Sequence, residues 1–581
     1  RINKTTPTAV IDFNELIKGF EISGVVDLPV GPVNLVEIGT KPTIAAGDVS
    51  WGMHRELRAV GISCEIHASD AESLSSKKLV VAFRDAYRDE PLLATLNRLY
   101  ERFPDAIFLD MGWPTREFSP QNLIRTFGSS ALRDAYTPKM YTGEWQGTMA
   151  LTEPDAGSSL SDLTTIAIPT SKEGVYSIRG QKIYISAGDH DACDNVIHLM
   201  LARIEGAPAG TKGISLFVVP KIRLDGTPND VLTQGIYHKM GYKGAPIVHL
   251  MIGSESACEG YLVGEAHQGL KYMFQMMNEA RIGVGMGGAY IASAAYHFSK
   301  QYANERSQGR LLTNKDPNTP PTLIKNHPDV QRMLYFQKAI VEGSMGLLFQ
   351  CLLWDDLTKC AEGEEKDEAQ LLLDLMTTVA KTYPAEMGTL AVNQGLQVLG
   401  GYGYTEDFPL EQMARDVRIM SIYEGTTGIH GLTLLGRGIP ANNGQALQTL
   451  GKWIAKDIES GKSSDLVAKY AGLLEDEVAN LTKVTMHKLG FAMKGEIDVF
   501  LADSTLYMEL FGLITVAWQW LKQGHVAAAA LAKGGLSAED EAFYLDKIHT
   551  MKFFYHYEVP KALGLSTRLM DEEVLTIFDH K

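Results

Sequence analysis

Short apolar runs and helical spacings alternate through the first 128 residues. Residues 32–38, 78–83, 106–110 and 122–127 are brief, apolar and β-branched, which predicts buried strands. Residues 51–60 and 91–103 between them carry helical periods, so this part reads as an α/β unit with a mostly parallel sheet. Gly112-Trp113-Pro114 ends one strand at a turn, the kind of place where an open α/β sheet carries a site or simply stops. From residue 129 the pattern changes. A helix over 129–140, running up to Pro138, leads into 143–159, whose first half alternates like a strand until Pro154 stops it. Runs at 175–188, 195–203 and 213–220 have strand propensity and turn punctuation, which predicts an antiparallel β-domain. Beyond residue 266 the period is helical: 269–306, 329–357 and 368–399 read as bundle helices, and 442–480 and 485–532 as a helical extension. The chain thus reads as a multidomain α+β protein divided at 1–128, 129–265, 266–440 and 441–581.

Composition narrows this picture. The 581 residues leave ample core for three or four domains, and 45% hydrophobic with 21% charged residues is a globular balance. A net charge of −16 argues against nucleic-acid binding, which needs clustered Lys and Arg. No run of 18 apolar residues exists, so no membrane span is expected. The five Cys are scattered without a CxxC pair, which fits a reducing, cytoplasmic-type compartment and no structural metal. The 22 Met and 55 Gly point to adaptable apolar cavities and close backbone approaches. A chain that begins at Arg1 without a signal-peptide pattern reads as processed, trimmed or incomplete.

Candidate chemistry concentrates at Glu424. This carboxylate follows an apolar run and precedes Gly425-Thr426, a setting that desolvates it, raises its pKa and makes it a usable base. The same residues also fit a plain helix start capped by Thr426 or Thr427. Tyr184 and Ser186 stand two apart on one strand face, a ring and a hydroxyl that could meet a planar ligand or simply decorate a barrel. Gly283-Val-Gly-Met-Gly-Gly288 imitates a dinucleotide fingerprint, but no strand precedes it and the helical period runs through, so it reads as close helix packing. Arg306 and Arg310 end a helix, where cations suit the dipole and could also hold a pyrophosphate. Residues 311–328, with four Pro, read as a surface excursion, and Gly400 to Gly403 as a helix stop.

Thr148-Met-Ala-Leu-Thr-Glu-Pro-Asp-Ala-Gly-Ser158 resembles the flavin-binding signature of acyl-CoA dehydrogenases, and Lys182-Ile-Tyr-Ile-Ser-Ala-Gly188 resembles their second one. Tyr423-Glu-Gly-Thr426 is similar to the motif that carries their catalytic base, and the resemblance covers about residues 129–581. It is strongest to the long bacterial branch that includes 3-methylmercaptopropionyl-CoA dehydrogenase. The resemblance implies FAD-dependent oxidation of an acyl-CoA thioester at Cα–Cβ, with Glu424 as base, flavin N5 as hydride acceptor and an electron-transferring flavoprotein taking the electrons. The thioester carbonyl would be held by the Glu424 N–H and an FAD ribityl hydroxyl. It assigns Met149, Leu151, Thr152, Tyr184, Ser186 and Thr426 to FAD, with Arg306, Gln397 and Gly401 reaching the cofactor of a partner subunit in a homodimer or dimer of dimers. Gly157, Ser158, Tyr423 and Gly425 fall to the acyl-CoA, and Arg281, at the family spacing from Arg306, orients the base. Gln308-Gly309 and Gly428 depart from short-chain members, which have Thr-Phe and Gln there.

Two further features follow from resemblance. Short members lack a tail like 441–581, which could cover the bundle, extend a dimer interface or touch a membrane surface. Residues 105–114 and 123–130, with Gly47-Asp-Val-Ser-Trp-Gly52, resemble the C-terminal α/β domain of family-3 β-N-acetylhexosaminidases. That implies a fold for residues 1–128, where acyl-CoA dehydrogenases have helices, but no glycosidase activity, because no barrel precedes it. The alternative to an enzyme is a catalytically silent flavoprotein or scaffold with the same fold.

Overall fold

Three of the four expected N-terminal runs form strands in parallel. The computed structural model describes residues 120–314 and 316–577, together with five short strands nearer the N-terminus. These are β1 (Val26–Leu28), β2 (Gly31–Val36), β3 (Glu65–His67), β4 (Leu79–Ala82) and β5 (Phe108–Asp110). β2 pairs in parallel with β3 and β4, and β4 with β5, while β1 folds back antiparallel on β2. The helices expected at 51–60 and 91–103 and the turn at 112–114 lie outside the described residues.

The fourth run is a correction. Residues 120–127 form helix α1 (Pro120–Phe127), not a strand. A six-residue apolar run does not reveal its own period. Pro120 starts the helix, where its missing N–H costs nothing. Leu123 and Ile124 are buried on one side, and Phe127 stacks on Tyr272 with ring centroids 4.2 Å apart. Helix α2 (Ser130–Thr142) begins with Ser129 accepting from the Leu132 N–H at 3.3 Å, and it runs past Pro138 by one turn to Gly143.

The chain forms two compact units, residues 1–237 with 246–276, and residues 238–245 with 277–581. In the first, eight strands follow: β6 (Trp145–Ala150), β7 (Ile166–Pro169), β8 (Val175–Ser186), β9 (Asn195–Ile204), β10 (Ile214–Pro220), β11 (Val231–Ile236), β12 (Ile247–Ile252) and β13 (Cys258–Leu262). Their order is β11-β12-β8-β13-β10-β9-β6, and β7 bridges β8 and β9 and so closes a small barrel. Most pairs are antiparallel as expected, but β6 and β7 both run parallel to β9. Alternate residues such as Ile178, Met200, Phe217 and Val248 fill the interior.

The second unit is helical. Its helices are α3 (Gly269–Glu305, its first turns counted with the first unit), α4 (Pro328–Cys360), α5 (Gly363–Leu399), α6 (Leu410–Val417) and α7 (Thr427–Thr433). The extension adds α8 (Gln445–Lys462), α9 (Ala468–Met493), α10 (Ile497–Leu501), α11 (Ser504–Lys533), α12 (Ala538–Phe553) and α13 (Lys561–Leu569). The expected single helix over 485–532 is broken, because Gly495 at φ +81° ends α9 and the chain restarts. α11 is long and apolar enough to cross a membrane, yet its most apolar window is 67% buried, packed on α4, α8, α9, α12 and α13. The extension therefore covers the bundle.

The glycine run at 283–288 is helix packing. A Cβ on Gly285 would collide with the Ala380 carbonyl oxygen, and one on Gly288 would come within 2.8 Å of the Pro384 carbonyl oxygen. α3 and α5 thus meet backbone to backbone, and Arg281 lies one turn before Gly285 on α3. Replacing Gly285 by Ala is expected to lower the unfolding free energy by about 1–3 kcal/mol in urea denaturation. Gly157→Ala, where nothing lies within 4 Å, should change it by less than about 0.5 kcal/mol.

Candidate functional site

In the first unit a buried ion pair joins the two flavin-type motifs. Lys182 Nζ lies 2.8 Å from Glu153 Oε1, with the two side chains 0% and 2% exposed, and it also donates to the Leu151 carbonyl at 2.9 Å. The Ile183 N–H donates to the Thr152 carbonyl at 2.9 Å. Glu153 takes further hydrogen bonds from the Thr164 and Thr165 N–H groups and the Thr164 hydroxyl. Burial drives Lys182 down to about 8. Burial opposes the Glu153 charge too, but Lys182 and the threonines outweigh it and hold the carboxyl below its usual range, so the pair is ionic at neutral pH.

That clamp sets Leu151 and Thr152 beside a deformation in β8. Leu250 pairs with Lys182 and Val248 with Ile185, so β8 carries one extra residue, and Tyr184 takes φ +57° there. The bulge buries Lys182 and Ile183 in succession while Tyr184 and Ser186 both remain exposed. Tyr184 leans on Tyr237 with centroids 4.6 Å apart. Met149 lies on β6 opposite Leu199, and Gly157 and Ser158 are exposed just past a turn closed by paired Glu153–Ala156 backbone hydrogen bonds.

In the second unit, Arg306, Gln397 and Gly401 line one cavity of about 520 Å³ with Tyr302, Gln308 and Tyr402. The excursion after Arg310 folds back to shape it, since the Ile324 N–H donates to the Arg306 carbonyl at 2.8 Å and Gln308 pairs with Thr322. Arg306 is exposed and its guanidinium meets no carboxylate among the described residues. A free guanidinium, an amide and two glycines around one cavity fit an anionic, hydrogen-bonding ligand such as the diphosphate end of a dinucleotide.

Elsewhere in that unit lies the turn that carries Glu424. Thr426 caps α7, accepting from the Ile429 N–H at 3.3 Å, so the helix-start reading of this stretch is realised. The cap does not exhaust the site. Glu424 has φ +55° and Gly425 φ +92°. Such a conformation is costly for a side-chain-bearing residue and is kept only where the surroundings impose it. His430 Nε2 meets the Glu424 carbonyl at 3.0 Å, and Lys381 Nζ donates to the Gly425 carbonyl at 2.8 Å. Burial pushes His430 down to about 3, so its ring is neutral and Nε2–H is the donor. Burial raises the Glu424 pKa, while Arg281 and then Lys381 pull the other way. Tyr423 donates to Met420 Sδ at 3.2 Å, and its phenol is pushed up by burial and by Tyr242 and Glu424.

Three family profiles match in order: "acyl-CoA dehydrogenase, middle domain" over 148–254, "acyl-CoA dehydrogenase, C-terminal domain" over 324–439, and "acetyl-CoA dehydrogenase C-terminal like" over 447–577. The chain is 34% identical to a butyryl-CoA dehydrogenase of Syntrophomonas wolfei over 75% of its own length and 73% of that protein's. It is 35% identical to the 3-methylmercaptopropionyl-CoA dehydrogenase of Ruegeria pomeroyi, over 76% and 75%. The chain belongs to the acyl-CoA dehydrogenase family. Solved structures share the fold: Caenorhabditis elegans ACDH-11 in complex with C11-CoA, at TM-score 0.61 and 21% identity over 75% of this chain and 68% of that one. A Bacillus anthracis acyl-CoA dehydrogenase complexed with FAD gives 0.57 and 21% over 77% and 76%.

Within this acyl-CoA dehydrogenase fold, the expected site residues fall into three groups. Met149, Leu151, Thr152, Gly157, Ser158, Tyr184 and Ser186 belong to the β-unit, Arg306, Gln397 and Gly401 to the cavity, and Tyr423, Glu424, Gly425 and Thr426 to the turn before α7, with Arg281 on α3 acting on Glu424 through its charge. Sequence reasoning missed Glu153, Lys182, Lys381 and His430 as holding groups. Lys381 was visible as a lone cation in the apolar pattern of 371–385, and a charge at a core position always needs an explanation. Breaking the Glu153–Lys182 pair by Lys182→Met is expected to cost about 3–5 kcal/mol in denaturation. The double change Glu153→Gln with Lys182→Met leaves no uncompensated charge and should restore part of that loss.

Proposed function

We propose that this protein oxidises an acyl-CoA thioester between Cα and Cβ, with Glu424 removing the α-proton. The observation that carries the reading is a half-buried carboxylate on a strained turn, whose proton affinity burial raises and the charges of two buried cations, Arg281 and Lys381, lower. Acyl-CoA dehydrogenases are FAD-dependent, and the bound flavin supplies the acceptor for the β-hydride. The chain's own residues would hold that cofactor through the exposed ring and hydroxyl of Tyr184 and Ser186, the clamped Leu151–Thr152 backbone, and Arg306, Gln397 and Gly401 around the cavity. The last three serve the cofactor of a second copy, which makes a homodimer or dimer of dimers the working assembly.

Glu424 does two jobs in this reading. Its carboxylate takes the proton, and its N–H, for which no acceptor is found among the described residues, steadies the thioester oxygen as negative charge develops there. Arg281 keeps the desolvated carboxylate ionisable and oriented, its own side chain buried and bonded to Asn278 at 3.2 Å. Tyr423 and Gly425 flank the thioester. Electrons leave to an electron-transferring flavoprotein in a reducing, cytoplasmic compartment.

The test is anaerobic. Butyryl-CoA should bleach the flavin of the purified protein, and Glu424→Gln should keep FAD while slowing bleaching by roughly 10²–10⁴-fold, the usual contribution of a positioned base. FAD retained without reduction by any acyl-CoA would instead favour a silent flavoprotein. A second expectation concerns pH. Because burial raises Glu424 above the ordinary 4.5, the base is protonated and inactive below that higher value. kcat/KM should therefore climb with pH along an acidic limb lying above the ordinary glutamate range, as read in a pH–rate profile.

A further inference from the structure

Lys381 is a buried cation to which the reaction as described gives no direct part. Its side chain is fully enclosed on α5 and lies among the largest buried groups of the protein. An ammonium in such a place is expensive unless something pairs with it. Its hydrogen bond goes to the Gly425 carbonyl at 2.8 Å, not to a carboxylate. The preceding carbonyl, of Glu424, is held by His430. Two successive carbonyls are thus fastened from opposite sides in sequence, one from α5 and one from α7. A Cβ on Gly425 would lie 2.8 Å from His430 Nε2, so the turn has no room to relax toward the imidazole.

The charges facing this place are few. Lys381 feels Glu386, Glu424 and Arg281, and Glu424 feels Arg281 and Lys381. His430 is neutral, and Tyr423 beside the base is protonated. Glu386, the first of these charges on Lys381, accepts a hydrogen bond from the Thr427 hydroxyl, while the ammonium's own hydrogen bond goes to the turn. We infer that Lys381 is a positioning residue for the dehydrogenation, its ammonium holding the Gly425 carbonyl so that Glu424 is presented in its left-handed conformation, and its charge keeping that base ionisable. This rests on Glu424 being the base. Burial lowers Lys381 to about 8, so the ammonium persists at neutral pH.

The holoenzyme is assayed with butyryl-CoA across pH as wild type, Lys381→Met, Lys381→Gln and Glu424→Gln. Lys381→Met is expected to lower kcat by roughly ten- to a hundredfold, the range for a lost charged hydrogen bond, with KM about unchanged. It should also move the acidic limb of kcat/KM to higher pH, because one of two cations favouring the ionised base is gone. Lys381→Gln keeps a donor without the charge, so it should recover part of kcat and show the same limb shift. A purely structural lysine would lower the melting temperature and leave the limb in place. Folded, FAD-bound variants with wild-type kcat and limb would overturn the inference, and so would failure of both to retain FAD. If Glu424→Gln still reduces flavin, the base assignment fails and this inference falls with it; if only the Lys381 variants behave as wild type, the base assignment stands alone.

Discussion

Everything proposed for this protein depends on keeping one carboxylate ionisable after water has been taken from it. A lone ionised glutamate in a desolvated place would simply take up a proton. Here burial raises Glu424, and two cations, Arg281 and Lys381, hold that rise in check. The cations are themselves buried and need the carboxylate in return. They stand on α3 and α5, whose backbones Gly285 and Gly288 allow to meet, and the two cations feel each other's charge. The chemistry thus rests on residues that have no side chain.

Buried lysines recur as backbone clamps. Lys182 holds the Leu151 carbonyl at 2.9 Å, Lys381 the Gly425 carbonyl at 2.8 Å, and Lys488 the Val499 carbonyl at 2.8 Å. Each joins a regular element to a loop or a short helix in which a backbone carbonyl would otherwise lack a partner. A four-carbon stem reaches across the packed layer, and the ammonium supplies a strong donor where a neutral one would be weaker. The first of these clamps stiffens the flavin-type motifs in the first unit, and the second stiffens the turn that carries Glu424 in the second unit.

The extension is joined to the bundle by equally specific contacts. Trp520 donates to the Ala339 carbonyl at 3.0 Å and Lys547 pairs with Glu342 at 2.9 Å, while Trp518, donating to Asp457 at 2.6 Å, ties two helices of the extension together. α4, the first bundle helix after the proline-rich excursion, is therefore buried by the tail as well as by α5. Unlike scattered apolar contacts, these pairs fix a register, because a tryptophan N–H or a buried lysine one turn out of place would be left without a partner.

The sequence by itself determined what short-range physics controls. Strand propensity and turn punctuation in 175–220, the helical period from 269, and the rejection of a dinucleotide fold at 283–288 were all legible, because propensity and side-chain period are local properties. So was membership of the acyl-CoA dehydrogenase family, through its motifs. Where local signals were silent or balanced, the sequence misled. Residues 122–127 became a helix because burial of Leu123 and Ile124 and the stacking of Phe127 on Tyr272, not propensity, decided their period. Only the tertiary structure decided that Lys381 and His430, 43 and 6 residues from Glu424 in the chain, would hold its turn. That fact depends on how α5 and α7 are packed in space, and no spacing along the chain encodes it.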